Sequence, residues 1–202
     1  MIANGKIVSV REQIANQLRS DIISGDLAPD SKLNEQALAD RFGVSRGPIR
    51  DVLLQLSKEG LLVTRANVGA SVNTMLSPQL QQLMVDIRRR IELFAARQLK
   101  GKMSEEDFSN LEDILKRFED SFLEEDFTEV TKADISFHRY LVEKAGGEDL
   151  INLWYPVALR MRMNYKRLDD AAHGVEEHRS ILESLRKDDI SGLVAALRVN
   201  IR

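Results

Sequence analysis

Two arginines, Arg46 and Arg50, stand one helical turn apart behind Ser45 in the stretch GVSRGPIR. At i and i+4 their side chains share one helix face. A guanidinium can bond guanine O6 and N7 together, the commonest base-specific contact in the major groove. The Ser45 hydroxyl and the free N–H groups of a helix N-terminus suit a phosphate oxygen. The arginine face lies beside the apolar positions Ile49, Val52, Leu53 and Leu56, not among them. On its own such a pair is more often a solvated face, so the elements around it decide its meaning.

Those elements are short and sharply bounded. Ile14, Leu18, Ile22 and Ile23 recur at helical spacing, which predicts a helix from Val10 to Ser24. Gly25 and Ala28-Pro29-Asp30 end it. Asn34 is suited to cap a second helix running through Phe42, with Ala37 and Leu38 inward. Gly43-Val44 then makes a tight turn, and Ser45 caps a third helix through Glu59 with Pro48 in its first turn. After Gly60 the period changes. Leu61–Thr64 and Ala70–Asn73 read as strands, with Arg65 to Gly69 as the turn between them. Three helices and a hairpin in this order form the winged helix-turn-helix pattern. In that pattern the second helix of the pair enters the major groove with its N-terminal residues at the base edges. Here those residues are Ser45, Arg46, Gly47 and, a turn on, Arg50.

Beyond Ser77-Pro78 every segment reads as helix, over 78–100, 104–124, 127–145, 148–168, 174–187 and 189–201, with Gly101, Gly146-Gly147 and Gly174 as punctuation. The expected fold is mainly α. A winged helix-turn-helix over 1–76 precedes an all-α bundle of about six helices over 77–202.

Composition narrows the chemistry. The 202 residues include no cysteine, which excludes disulfides, thiolate metal sites and cysteine catalysis. No apolar run approaches the ~20 residues of a membrane span. The opening MIANGKIVSVREQI lacks the apolar core of a secretory signal, so a cytoplasmic protein without membrane contact is expected. The net charge is −3, so any DNA affinity has to come from a local basic patch.

The stretch NEQALADRFGVSRGPIRDVLLQLSKEGLLVT resembles the GntR family of regulators. Leu33, Glu35, Leu38, Ala39, Gly43, Val44, Ser45, Arg46, Pro48, Arg50, Leu53, Leu56, Gly60 and Leu61 all match that family's ordered pattern. Gly47 stands where the family usually has threonine, which removes one phosphate-binding hydroxyl, and Asp51 replaces the usual glutamate. The wing RANVGASV keeps Gly69 but is less basic than many. The resemblance implies operator DNA contacts from Gln36, Ser45, Arg46, Gly47, Pro48, Arg50, Arg65 and Gly69. It also implies a homodimer on an inverted-repeat operator.

The helical remainder resembles the FadR branch of the same family, with its FCD-type ligand-binding domain. Arg88, Ile91 and Glu92 match the branch's opening signature, and six helices suggest the shorter, VanR-like subgroup. Many members of that branch bind a divalent metal through one aspartate and three histidines. Asp134 and His138 match the D-x-x-x-H pair, and Glu177, His178 and Ile181 match the next segment. Asn200 stands in the place of the remaining histidine. The ligand set implied is therefore Asp134, His138 and His178, for zinc, nickel or manganese. A neutral amide is a weak ligand for such ions, which leaves an open position. Without metal, the same residues line a polar cavity.

Arg88, among Met84, Ile87 and Ile91, is the expected anchor for a small organic acid effector, with Asn200 beside it. Of Arg88, Arg89 and Arg90 only one or two can face a cavity, because successive residues are ~100° apart on a helix. Arg160 and Arg162 are weaker candidates, His173 is expected in a loop without a role, and Trp154, Tyr155 and Met161 are expected in the core. The rival reading is a metal-dependent hydrolase built on Asp134, His138 and His178. No H-E-x-x-H or glycine-rich phosphate loop accompanies them.

Overall fold

A computed structural model describes residues 9–65, 69–164 and 171–202. The chain divides into two compact units, Met1–Met75 and Leu76–Arg202. The fold is mainly α, with a small sheet after the N-terminal helix-turn-helix.

The first unit holds α1 (Val10–Ser24), β1 (Lys32–Leu33), α2 (Glu35–Phe42), α3 (Arg46–Lys58), β2 (Leu62–Arg65) and β3 (Gly69–Val72). Ser9 caps α1 by accepting the Glu12 N–H, and Gly25 ends it. Ile14, Leu18 and Ile22 of α1 and Ile49, Val52 and Leu56 of α3 are buried, and the two helices pack together. Burying each such side chain contributes about 1.5–3 kcal/mol. Arg19, itself buried, grips Glu59 through two hydrogen bonds of 2.6 and 2.7 Å and so ties α1 to the end of α3. On α2 the inward pair is Leu38 and Ala39; Ala37, expected inward, is exposed. A helix this short buries only one narrow stripe, here the one packed against α3.

The sheet is antiparallel in the order β1-β3-β2. Lys32 and Leu33 pair with Ser71 and Ala70, a strand too short for any sequence period to announce. The hairpin strands lie one residue from their expected bounds, and Arg65 pairs with Gly69 as the last rung. The rest of the expected turn, 66–68, falls outside the described residues.

The second unit holds α4 (Pro78–Leu99), α5 (Glu105–Leu123), α6 (Phe127–Arg162), α7 (Ala171–Arg186) and α8 (Ile190–Asn200). Helix α6 contains the two expected helices end to end. They meet at Gly147, whose φ of +58° and ψ of −152° only glycine adopts readily. The second half ends at Arg162, short of the expected 168, and 165–168 lie outside the described residues. Helix α7 begins at Ala171, so His173 sits exposed in its first turn rather than in a loop. Helix α4 packs on α6 and α8, α5 on α6 and α7, and α7 on α8. Trp154, Phe137, Leu111, Ile181 and Leu193 are fully buried between them. Among the described residues no helix is long and apolar enough to cross a membrane.

Candidate functional site

Each unit gathers one set of functional side chains. In the first, the Asn34 side chain accepts the N–H groups of Gln36 and Ala37 at 2.9 and 3.0 Å and fixes the start of α2. Gly43 closes α2 at a φ of +65°, and the chain turns into α3. Ser45 occupies the N-cap of α3, yet its side chain makes no capping hydrogen bond. Its hydroxyl and the first N–H groups of α3 are thus available to a phosphate. Arg46 and Arg50 emerge on the next turn, with 52% and 60% of their side chains exposed. Both bond Glu35, which opens α2. The hydrogen bonds from Arg46 and Arg50 hold the Glu35 carboxyl below the usual carboxylate range.

Gly47 is exposed beside the arginines, Pro48 is half-buried in the first turn of α3, and Gln36 is exposed on α2 with its amide donating to Asp40. Arg65 and Gly69, both exposed on the wing, line one groove with Glu35, Arg50, Leu54 and Thr64. The result is a polar, cation-bearing edge built from the starts of α2 and α3 and the free end of the hairpin.

In the second unit, α6 and α7 bring Asp134, His138 and His178 together with one ligand atom from each within 4.8 Å of the others. All three are buried, the histidines almost completely. Nδ1 of His138 lies 2.6 Å from Glu92 Oε2, and Nδ1 of His178 lies 2.6 Å from the Gly174 carbonyl. Carboxylate and carbonyl can only accept, so both Nδ1 atoms carry the proton. Both Nε2 atoms then present lone pairs, and they face one another at 3.1 Å. Asp134 Oδ1 is 3.3 Å from His178 Nε2.

A proton or a cation has to relieve that confrontation. Burial works against the proton. It pushes His138 down to about 4 against the opposing pull of Glu92, and pushes His178 down to about 4 against its bond to Gly174. The donor set fits a cation, because two imidazole nitrogens and a carboxylate oxygen are the ligand types that such ions take.

The surrounding shell is dense. Glu92 takes Arg88 Nε and Trp154 Nε1 on one oxygen, both at 2.7 Å, and His138 on the other. Burial pushes its carboxyl up, but His138 and Arg88 outweigh burial and hold it far below the usual range. Arg162, also buried, pairs with Asp134 Oδ2. Of the arginine run, Arg88 is buried, Arg89 is half-buried on the Ile201 and Arg198 carbonyls, and Arg90 is exposed. Trp154 is in the core as expected, and its indole N–H also serves this network. Asn200 reaches the outer nitrogen of His178, 3.4 Å from Nδ1, and bonds Glu177 at 3.3 Å. Its amide is therefore not directed at the meeting point of the Nε2 atoms. Sequence reasoning underrated Arg162 and gave Glu92 no part in the site. The one local signal was the i, i+4 pair Arg88 and Glu92.

Residues 10–72 match the family of bacterial regulatory proteins named gntR, and residues 83–202 match the FCD domain. The HTH-type transcriptional regulator YdhC of Bacillus subtilis is 32% identical over 181 residues, covering 87% of this chain and 80% of that protein. The HTH-type transcriptional repressor RspR of Escherichia coli is 26% identical over 197 residues, covering 96% and 86%. Among solved structures, E. coli McbR/YncC superimposes with a TM-score of 0.82 at 20% identity, over 96% of this chain and 94% of that one. The chain belongs to the GntR family, with an FCD domain following its winged helix-turn-helix, and is a DNA-binding transcription regulator.

Proposed function

We propose that the FCD domain holds a divalent metal, zinc, nickel or manganese, on Asp134, His138 and His178, and that a small organic acid completes its shell. In this reading Arg88 and Asn200 form the acid's binding site, Arg88 as its charged partner, and the acid controls how tightly the winged helix holds operator DNA. The operator contacts come from Gln36, Ser45, Arg46, Gly47, Pro48, Arg50, Arg65 and Gly69, in a homodimer on an inverted repeat.

The observation that carries the metal is the 3.1 Å approach of the two Nε2 atoms, with the Nδ1 of each ring facing an acceptor. Charge balance supports the acid. The buried pairs Arg88–Glu92 and Arg162–Asp134 already neutralise one another. A divalent cation adds positive charge to a site that water does not screen, and an uncompensated buried charge is costly. An anion that enters with the metal offsets part of the excess, and a guanidinium offers its carboxylate a bidentate partner. Binding then shifts the dimer between forms of different operator affinity, which differential affinity alone can drive. The hydrolase reading gains no support. Glu92, the carboxylate in contact with His138, is committed to three donors and is not placed to activate water.

Protein purified without chelator or nickel resin is expected to carry close to one equivalent of metal per chain. Less than about a tenth of an equivalent, with no gain on adding zinc, nickel or manganese, defeats the metal reading. The cluster is then a metal-free polar pocket.

A further inference from the structure

Three N–H groups from two arginines converge on a single oxygen, Oε2 of Glu35. Arg46 gives Nη2 at 2.8 Å and Nε at 3.3 Å, and Arg50 gives Nε at 2.8 Å. The two arginines are held differently. Arg46 presents its Nε–Nη2 edge to the carboxylate, so that edge is consumed. Arg50 is held by Nε, and no other hydrogen bond or ion pair of its guanidinium is found among the described residues. Its terminal Nη1–Nη2 pair therefore points away from Glu35, and that pair is one of the two edges that fit guanine O6 and N7.

We propose that Glu35 is a positioning residue for operator readout: by holding Arg50 through Nε and Arg46 through its Nε–Nη2 edge, it assigns base reading to Arg50 and phosphate contact to Arg46. The inference rests on the recognition-helix reading above. Glu35 stands on α2 and the arginines on α3, so the carboxylate also pins the geometry between the two helices of the motif. Without it, two like charges one turn apart repel and each samples more directions. Both guanidiniums then become general cations for phosphate, the sequence-independent part of DNA affinity. Glu35 lowers the total positive charge at the interface, yet it raises selectivity, because it leaves one arginine in a defined pose.

The test uses the full chain and two duplexes of equal length: one selected by the wild-type protein from a randomised library, and one scrambled. Glu35→Gln is expected to bind the scrambled duplex more tightly and with a salt slope steeper by about 0.9 for each further phosphate that the protein neutralises. Its selected-to-scrambled ratio is expected to fall about tenfold, within the range of one lost bidentate base contact. Arg50→Ala loses preference at one base pair per half-site, whereas Arg46→Ala weakens both duplexes alike. An equal rise on both duplexes for Glu35→Gln means simple charge masking and overturns the proposal. An equal fall, or no change, overturns it too, and thermal melting of each variant checks the fold. If Arg46→Ala costs base preference as strongly as Arg50→Ala, the division of labour is wrong. If Arg50→Ala leaves the selected duplex unaffected, the recognition-helix reading itself fails, and Glu35 is then not the fault.

Discussion

Glu92 shows how much one carboxylate can decide. It is almost wholly buried, and it is satisfied by an indole, a guanidinium and an imidazole. Its contact with Nδ1 fixes the tautomer of His138, and the tautomer decides whether Nε2 can bind a cation. Glu92→Gln puts an amide N–H where an acceptor is needed, or turns the acceptor away from one of its three donors. The expected result is a fall of about 10- to 100-fold in metal affinity, the range typical for lost outer partners of a ligating histidine. Nitrogen chemical shifts of His138 are expected to report the proton moving to Nε2. Unchanged affinity with an unchanged tautomer would show that Glu92 is only a core ion-pair partner. The site was partly legible because Asp134 and His138 sit one helical turn apart, a local spacing. Glu92 is 46 residues from His138 and 62 from Trp154, and no local period encodes such pairs. Asn200 shows the same limit. Its position in the chain matched the family's remaining ligand, but its short side chain stops at the outer face of His178.

At the scale of elements, the join of α5 to α6 is decided at Asp107. Ser104 and Asp107 form a capping box at the start of α5. The same carboxylate accepts Tyr140 Oη at 2.7 Å and pairs with Lys144 at 2.9 Å, both on α6. Burial pushes the Asp107 carboxyl up, but the Ser104 N–H, Lys144 and Tyr140 outweigh it and hold the group well below its ordinary range. A carboxyl depressed on folding stabilises fully above its unfolded value, about 3.9, and loses that contribution as pH falls toward the folded value. Asp107→Asn is therefore expected to lower stability by about 1–3 kcal/mol near neutrality. The gap between wild type and variant should begin to narrow near pH 5 and shrink steadily through pH 3, closing only as pH nears the folded value. A gap constant across that range sinks the assignment, and denaturant melts at several pH values read it directly.

Helix existence was legible throughout because each cap and break is a local signal. Asn34, Gly43, Ser77 and Gly147 all punctuate where their types suggest. Strand β1 was not, because two residues have no period and pair only once β3 is in place.

At the scale of the whole molecule, the proposed homodimer requires a face that joins two copies, each winged helix then covering one half-site. A stripe on α4 is suited to join them. Leu80, Leu83 and Phe94 are 48%, 50% and 49% exposed, and with the half-buried Ile87 they recur at spacings of three, four and seven. That is the repeat by which helices pack in antiparallel or parallel pairs, and large apolar side chains in such a row mark an interaction surface. The expectation is that the protein sediments at twice its chain mass. Leu83→Asp combined with Phe94→Asp should release the monomer, since burying two carboxylates between helices is prohibitive. The released monomer is expected to keep non-specific DNA binding, which depends on phosphate contacts made by each winged helix alone. Specific binding should collapse, because the second half-site no longer benefits from being tethered to the first. Loss of both kinds of binding would instead indicate damage to the fold. A double variant that still sediments as a dimer would place the interface on another face. Were wild type itself monomeric with and without DNA, the inverted-repeat reading would fall.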